Sequence, residues 1–242
     1  MLITTEDARS HSADSRLACT LAAAAGALNT AAFEIVGFFS ANMTGNVSSL
    51  SDHLAKANLS AGLFFLSVVC LFITGSLVST LVINSGRRRN IRTIYAFVIL
   101  AEGLALVFLG VAECFFTPLS PGVVLIMSLS FLMGLQNAVV TRISNARVRT
   151  THVSGTATDI GIELAMLYEV LRRKVSPKEA PLYLDRLRLH GLTLLSFLAG
   201  GVAGIWLYKW LGYGFLLPVG FGLMALALKA IFRPAAARKG AV

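Results

Sequence analysis

Charge is scarce in this 242-residue chain: Asp, Glu, Lys and Arg together make up 14% of it, against 56% hydrophobic residues. Ordinary globular proteins carry about 25% charged residues. A water-facing surface of the usual kind is therefore excluded, and the mean hydropathy of +0.74 points to a bilayer as solvent. Cysteine is almost missing as well. Cys19, Cys70 and Cys114 stand far apart, with no C-x-x-C spacing and no neighbouring His pair, so they read as small apolar residues rather than as a disulfide framework or metal site. Only four His residues are present, with no H-E-x-x-H arrangement, which argues against a zinc hydrolase. Residues 1–16 lack the basic n-region and small-residue cleavage site of a secretory signal and read as a short retained N-terminal arm.

What the chain has instead is apolar runs. Residues 17–39, 59–83, 91–115, 122–140, 191–211 and 213–232 each come close to or exceed the ~20 residues that cross hydrocarbon as a helix. The expectation is an all-α polytopic membrane protein with six transmembrane helices. A formal charge of +9 raises the question of nucleic acid, but the basic residues sit between apolar runs, where they set orientation; no nucleic-acid partner is expected. With the N-terminus inside, Arg87, Arg88, Arg89 and Arg92, the basic stretch 142–188, and Lys229, Arg233, Arg238 and Lys239 all fall inside. Of 21 Lys and Arg residues, Lys56 and Lys209 alone fall outside. That asymmetry predicts cytoplasmic N- and C-termini in a bacterial inner membrane.

The chain also contains an internal repeat. After the first run comes Ser40-Ala-Asn-Met-Thr-Gly-Asn46, followed by a short helical pattern over 47–56. After the fourth comes Thr150-Thr-His-Val-Ser-Gly-Thr156, followed by another over 157–171. Gly26-Ala-Leu-Asn29 aligns with Gly134-Leu-Gln-Asn137, Met43-Thr-Gly-Asn46 with Val153-Ser-Gly-Thr156, and Phe72-Ile-Thr-Gly75 with Phe197-Leu-Ala-Gly200, in the same order. A unit of three crossings is odd, so its second copy enters the membrane from the opposite side and the topology is inverted. The domain reading is an arm (1–16), a first repeat (17–115), a second repeat (121–232) with a basic loop (142–190), and a tail (233–242).

Each repeat is expected to carry a broken or re-entrant half-helix, because eight full crossings would move the Arg87–Arg92 loop outside. Non-helical backbone at membrane depth must be covered by protein or water, so both breaks should face inward. Thr44, Asn46, Ser154 and Thr156 are residue types that cap helix N-termini, while Gly45 and Gly155 permit close backbone approach. A helix N-terminus suits an anion or a polar substrate oxygen, which makes these six residues candidate substrate contacts. Asn29 and Asn137 join them, either holding unwound backbone or touching ligand.

The segments Ala41-Asn-Met-Thr-Gly-Asn46, Gly134-Leu-Gln-Asn-Ala138 and Val148-Arg-Thr-Thr-His-Val-Ser-Gly-Thr156 resemble recurring features of the YoaK family of bacterial multi-pass membrane proteins, with Ser154 where Thr is usual. The resemblance spans about Leu17 to Leu228. It implies an all-helical membrane fold and supplies no substrate, reaction or cofactor.

Glu102 falls near the middle of the third run, where a carboxylate is costly unless it faces the bundle interior, and is a candidate for proton coupling. Asp159 and Glu163, four apart on one helix face, are further candidates, with Ser49 and His53 at the matching places in the first half. Arg142, Arg147 and Arg149 precede the second break; their default role is topogenic, and they suit attraction of an anion. Gly200 and Gly204 form a GxxxG step for close helix packing.

These features favour a secondary transporter or permease for a small polar or anionic solute over a membrane scaffold or regulatory subunit. An intramembrane hydrolase built on Ser154 with His152 or His190 is weaker, because Thr44-Gly45 holds the matching place in the other half. No enzymatic activity and no cofactor is expected. The expected partners are the bilayer, the solute and a second copy of the chain.

Overall fold

The computed structural model describes residue 2 and residues 11–115 and 122–239, with side chains for 2, 15–115 and 122–232. Most of the expected N-terminal arm and the last residues of the tail lie outside the described residues. The described chain is helical: α1 (His11–Val36), α2 (Met43–Ala55), α3 (Leu59–Arg88), α4 (Ile94–Phe115), α5 (Val123–Ile143), α6 (Val153–Leu171), α7 (Ala180–Leu211) and α8 (Leu216–Lys239), with short 3-10 turns before α7 and α8. Proline marks helix starts: Pro181 and Pro218 stand in the first turns of α7 and α8, where a missing N–H costs nothing.

Five segments are long and apolar enough to cross a membrane, the last running from Pro177 to Phe232 over 56 residues. Large apolar side chains lie outward along them, among them Leu63, Ile73, Phe108 and Trp210, the last 84% exposed. Such a surface is unstable in water and ordinary in lipid. The protein is a multi-pass helical membrane protein.

The long helices pack where glycine removes the side chain. A Cβ at Gly26 would come within 2.0 Å of Phe197 O on α7, and one at Gly200 within 2.0 Å of Ala23 O on α1. The same contact recurs between α3 and α5: a Cβ at Gly134 would meet Phe72 O, and one at Gly75 would meet Phe131 O, each at 2.0 Å. Gly26 aligns with Gly134 and Gly75 with Gly200 in the sequence, so the halves exchange partners. Close crossings of this kind let backbones touch, and the GxxxG glycines Gly200 and Gly204 are consumed inside the chain against Ala23 and Ala27.

Contact order along these pairs gives direction. On α1 and α7 the numbers rise together, from Ala23 with Gly200 to Ala27 with Gly204, so the helices are parallel. So are α3 and α5, whose ends meet through a hydrogen bond from Arg142 to Asn84 Oδ1. Between α4 and α8 the numbers run oppositely: Gly103 meets Gly220 and Met224, Gly110 meets Leu216 and Leu217. The ends carrying Arg87–Arg92, Arg142–Arg149 and Lys229 therefore gather on one side, and Lys56 and Lys209 on the other.

The stretch 142–190, expected as a basic loop with a short helix over 157–171, is helical over a longer span. It holds all of α6 and the first turns of α7, because Glu163 and its neighbours pack on α7 and extend that helix well beyond its apolar run.

Candidate functional site

Asn29 and Asn137 act alike. Asn29 is buried, and its Oδ1 accepts from the Ala41 N–H at 2.8 Å. Asn137 Oδ1 accepts from the Thr151 hydroxyl at 2.9 Å. Asn29 lies about two turns before the end of α1, so this bond draws residue 41 back along the helix by roughly 10 Å. The chain reverses at Gly37, whose φ of 75° suits glycine. After α5 it reverses at Asn145 and Ala146, with φ of 51° and 62°, and Thr151 returns to Asn137. Both short helices thus begin beside a long helix, not beyond its end. Asn29 holds backbone of its break, whereas Asn137 holds a side chain of its own, the Thr151 hydroxyl.

The expected caps are displaced. The N-cap of α2 is Asn42, whose Oδ1 accepts from Gly45 N at 3.1 Å, and that of α6 is His152, which makes no side-chain capping bond. Thr44, Asn46, Ser154 and Thr156 lie within the first helical turns instead, because each helix starts a turn earlier than its apolar pattern. Asn46 and Thr156 are buried and brace the breaks, donating to Phe39 O and His152 O, each at 3.1 Å. Thr44 and Ser154 are exposed. The two glycines serve close approach: a Cβ at Gly45 would lie 2.7 Å from Asn42 Nδ2, and one at Gly155 2.1 Å from His152 Nδ1. Each leaves room for the N-cap side chain to fold over the first turn.

Beyond these shared features the breaks diverge. Around the first, rings fill the space: Phe33 stacks on Phe39 at 4.3 Å, Phe38 meets Phe64 and Phe65 at 5.3 and 5.2 Å, and His53 stacks on Phe65 at 5.5 Å. Beside the second lies a cavity of about 890 Å³ between the 146–152 segment, α6 and α7. Gly155, Thr156, Asp159 and Glu163 line its α6 wall, Asp185, Arg186 and His190 its α7 wall, and Arg147 and Arg149 its break.

Glu163 is 5% exposed, and its Oε1 lies 2.9 Å from His190 Nδ1. Its Oε2 is buried with no hydrogen-bond partner among the described residues. Burial pushes the Glu163 carboxyl above its ordinary range; His190 and Arg186 oppose that shift and Asp159 adds to it. No cluster of three or more His, Cys, Asp or Glu with metal-site geometry occurs among the described residues.

The cavity unites Gly155, Thr156, Asp159 and Glu163 of the predicted residues. It does not include Asn29, Thr44, Gly45, Asn46, Asn137 or Ser154, nor Glu102, which is fully buried on α4 with both carboxylate oxygens unpartnered among the described residues. His190 was not read as Glu163's partner from the sequence: aligning Phe72 with Phe197 places it opposite Phe65, seven residues upstream in each half, but the contact of Phe65 with His53 that makes this informative is seen only in the structure.

A family model described as protein of unknown function, DUF1275, matches residues 17–229. The chain belongs to this family. That match agrees with the YoaK resemblance carried by Ala41–Asn46 and Val148–Thr156. No curated protein and no solved structure matches the chain.

Proposed function

We propose that the protein is a secondary transporter for a small polar or anionic solute, built as two inverted repeats of three crossings, with the basic side and both termini in the cytoplasm of a bacterial inner membrane. The 56-residue segment Pro177–Phe232 then makes two crossings, α7 and α8, divided at Gly212. In support, α1 with α7 and α5 with α3 repeat one glycine contact with partners exchanged, and α4 crosses α8 at the equivalent glycines Gly103 and Gly220. A pseudo-two-fold axis lying in the membrane plane would relate such halves. The positive-inside bias supports the orientation.

The observation that carries the transport reading is at the second break: a helix that starts beside α5 rather than beyond its end, next to a cavity of about 890 Å³ that holds a buried carboxylate–imidazole pair. Simple packing gives no reason to bury a carboxylate there, and intramembrane ionisable groups mark solute or proton paths. Within this reading Glu163 and Asp159 handle protons or cations at the cytoplasmic mouth, and Glu102 is a separate ionisable group at the centre of the bundle.

Reconstitution into liposomes with a panel of labelled small polar and anionic metabolites tests the proposal. Saturable flux that Glu163→Gln reduces by about ten-fold or more is expected. No flux with any solute, from protein that inserts and melts cooperatively, would favour the scaffold reading.

A further inference from the structure

We infer that the open cavity between α3, α4 and α5, on the side away from the basic clusters, binds a lipophilic primary amine. Its ammonium meets the Glu113 carboxylate and its hydrocarbon chain lies inward along the helices. The site is separate from the cavity between α6 and α7 and does not depend on the transport reading.

The cavity follows from the course of α3 and α4. At the basic end they are close, because Gly86 leaves room for the Ile94 side chain. Further along, a space of about 600 Å³ opens between Leu71 of α3, Ala105, Phe108 and Ala112 of α4, and Val124 and Phe131 of α5. Ala105 and Ala112 are seven positions apart and so share a helix face, where their small side chains keep the α4 wall low. Phe108, 76% exposed, forms its rim. Walls of this kind suit a hydrocarbon chain rather than a polar solute. Lipid tails are as apolar as these walls, so a chain alone gains little by leaving the bilayer. Selectivity has to come from the one charged group.

That group is Glu113, the sole ionisable side chain in a lining that contains no Lys, Arg or His. It is 9% exposed, and its Oε2 is enclosed with no hydrogen-bond partner among the described residues, which leaves Oε1 as the oxygen turned to the cavity. The sequence that follows α4, residues 116–121, has no charged residue to act as counter-ion. A carboxylate in apolar surroundings is costly until a cation with N–H donors meets it. A primary ammonium brings one positive charge and three donors. A phospholipid with an ammonium headgroup fits less well, since its phosphate would enter a lining without a cation to meet it.

Spacing sets the length of the chain. Ala105 and Glu113 are eight positions apart on α4, roughly 12 Å of helical rise, and a straight chain of about eight to ten carbons reaches as far.

Calorimetric titration of the full-length protein in phosphatidylcholine nanodiscs tests this, with empty discs to subtract partition into lipid. The probes are decylammonium, decanol, decanoate and butylammonium. Decylammonium should bind about ten-fold or more tighter than decanol or decanoate, and butylammonium about ten-fold or more weaker than decylammonium. Glu113→Gln should bring decylammonium to within about two-fold of decanol, with decanol itself changed by less than about two-fold; cooperative melting reports that the variant is folded. Ala112→Phe, which fills the α4 wall, should weaken both. Decanol binding as tightly as decylammonium, an advantage that survives Glu113→Gln, or no binding of decylammonium would each overturn the inference. So would displacement of decylammonium by phosphatidylethanolamine mixed into the disc, which would assign the site to a membrane lipid.

Discussion

Across the α2–α3 hairpin His53 faces Phe65, their rings stacked at 5.5 Å; across the α6–α7 hairpin the same two positions hold Glu163 and His190, 2.9 Å apart. The scaffold around these pairs is shared. Ser48 Oγ donates to Thr44 O in α2 as Thr158 Oγ1 donates to Ser154 O in α6, and an Asn from the preceding long helix holds each break. The two breaks share this frame, and a few differing side chains leave one packed with rings and the other opening on a polar cavity. The lesson is that the frame positions a helix start inside the bundle, while the side chains opposite it decide whether that start is sealed or used.

Four changes break or sharpen this comparison. The largest effect is expected at its centre: Phe65→Ala should destabilise by about 3 kcal/mol through lost packing, whereas His190→Ala at the matching place strands Glu163 Oε1, should cost about 1–3 kcal/mol, and should abolish solute flux. Thermal melting in detergent, together with solute flux in liposomes, separates the two. Next, Gly26→Ala and Gly134→Ala drive a methyl into backbone oxygens at the same distance, so each should destabilise by about 1–3 kcal/mol, and to a similar extent. Unequal losses would count against equivalence of the halves.

A smaller, graded effect is expected at the paired amides. Asn29→Ala strands the buried Ala41 N–H and should cost about 1–3 kcal/mol, while Asn137→Ala frees a hydroxyl that can rotate to another acceptor and should cost about 1 kcal/mol. Denaturation of both variants in one detergent gives the ranking. The smallest is a pH effect confined to the second half. Cation binding needs the Glu163 carboxylate, whose range is raised by burial and by Asp159 against the pull of His190 and Arg186. Flux should therefore be full at alkaline pH and fall as pH drops through that raised range, above the ordinary Glu value of about 4.3, and Glu163→Gln should flatten the profile of whatever flux it retains. An unchanged profile in the Gln variant would assign the titration elsewhere.

Much of the frame was legible in the sequence because lipid imposes it. Apolar runs of span length, the basic clusters Arg87–Arg92 and Arg142–Arg149 between them, and the aligned Gly26/Gly134 and Gly75/Gly200 are local signals, and each of those glycines lies at a close helix crossing. The breaks were legible as breaks, and their caps were misread by two to four positions, since any Asn or Thr in Ala-Asn-Met-Thr-Gly-Asn suits a cap and only backbone geometry selects Asn42. The site was half legible. Asp159 and Glu163 announced themselves as acids on one face, but the partner of Glu163 is 27 residues away on another helix, and composition does not encode which helix returns beside it. Glu102 was rightly expected in the interior, yet its burial away from the cavity depends on packing between α4 and its neighbours.

The central claim, that the two breaks open toward opposite faces of the membrane, is tested most directly by paired cysteines. With Cys19, Cys70 and Cys114 replaced by serine or alanine, Ser48→Cys and Thr158→Cys occupy equivalent positions on α2 and α6. Labelling with an impermeant thiol reagent is then measured in right-side-out and inverted vesicles. The account predicts that the residue-158 thiol is labelled only from the cytoplasmic face, and that the residue-48 thiol is never labelled from that face. Labelling of both thiols from one and the same face would contradict it.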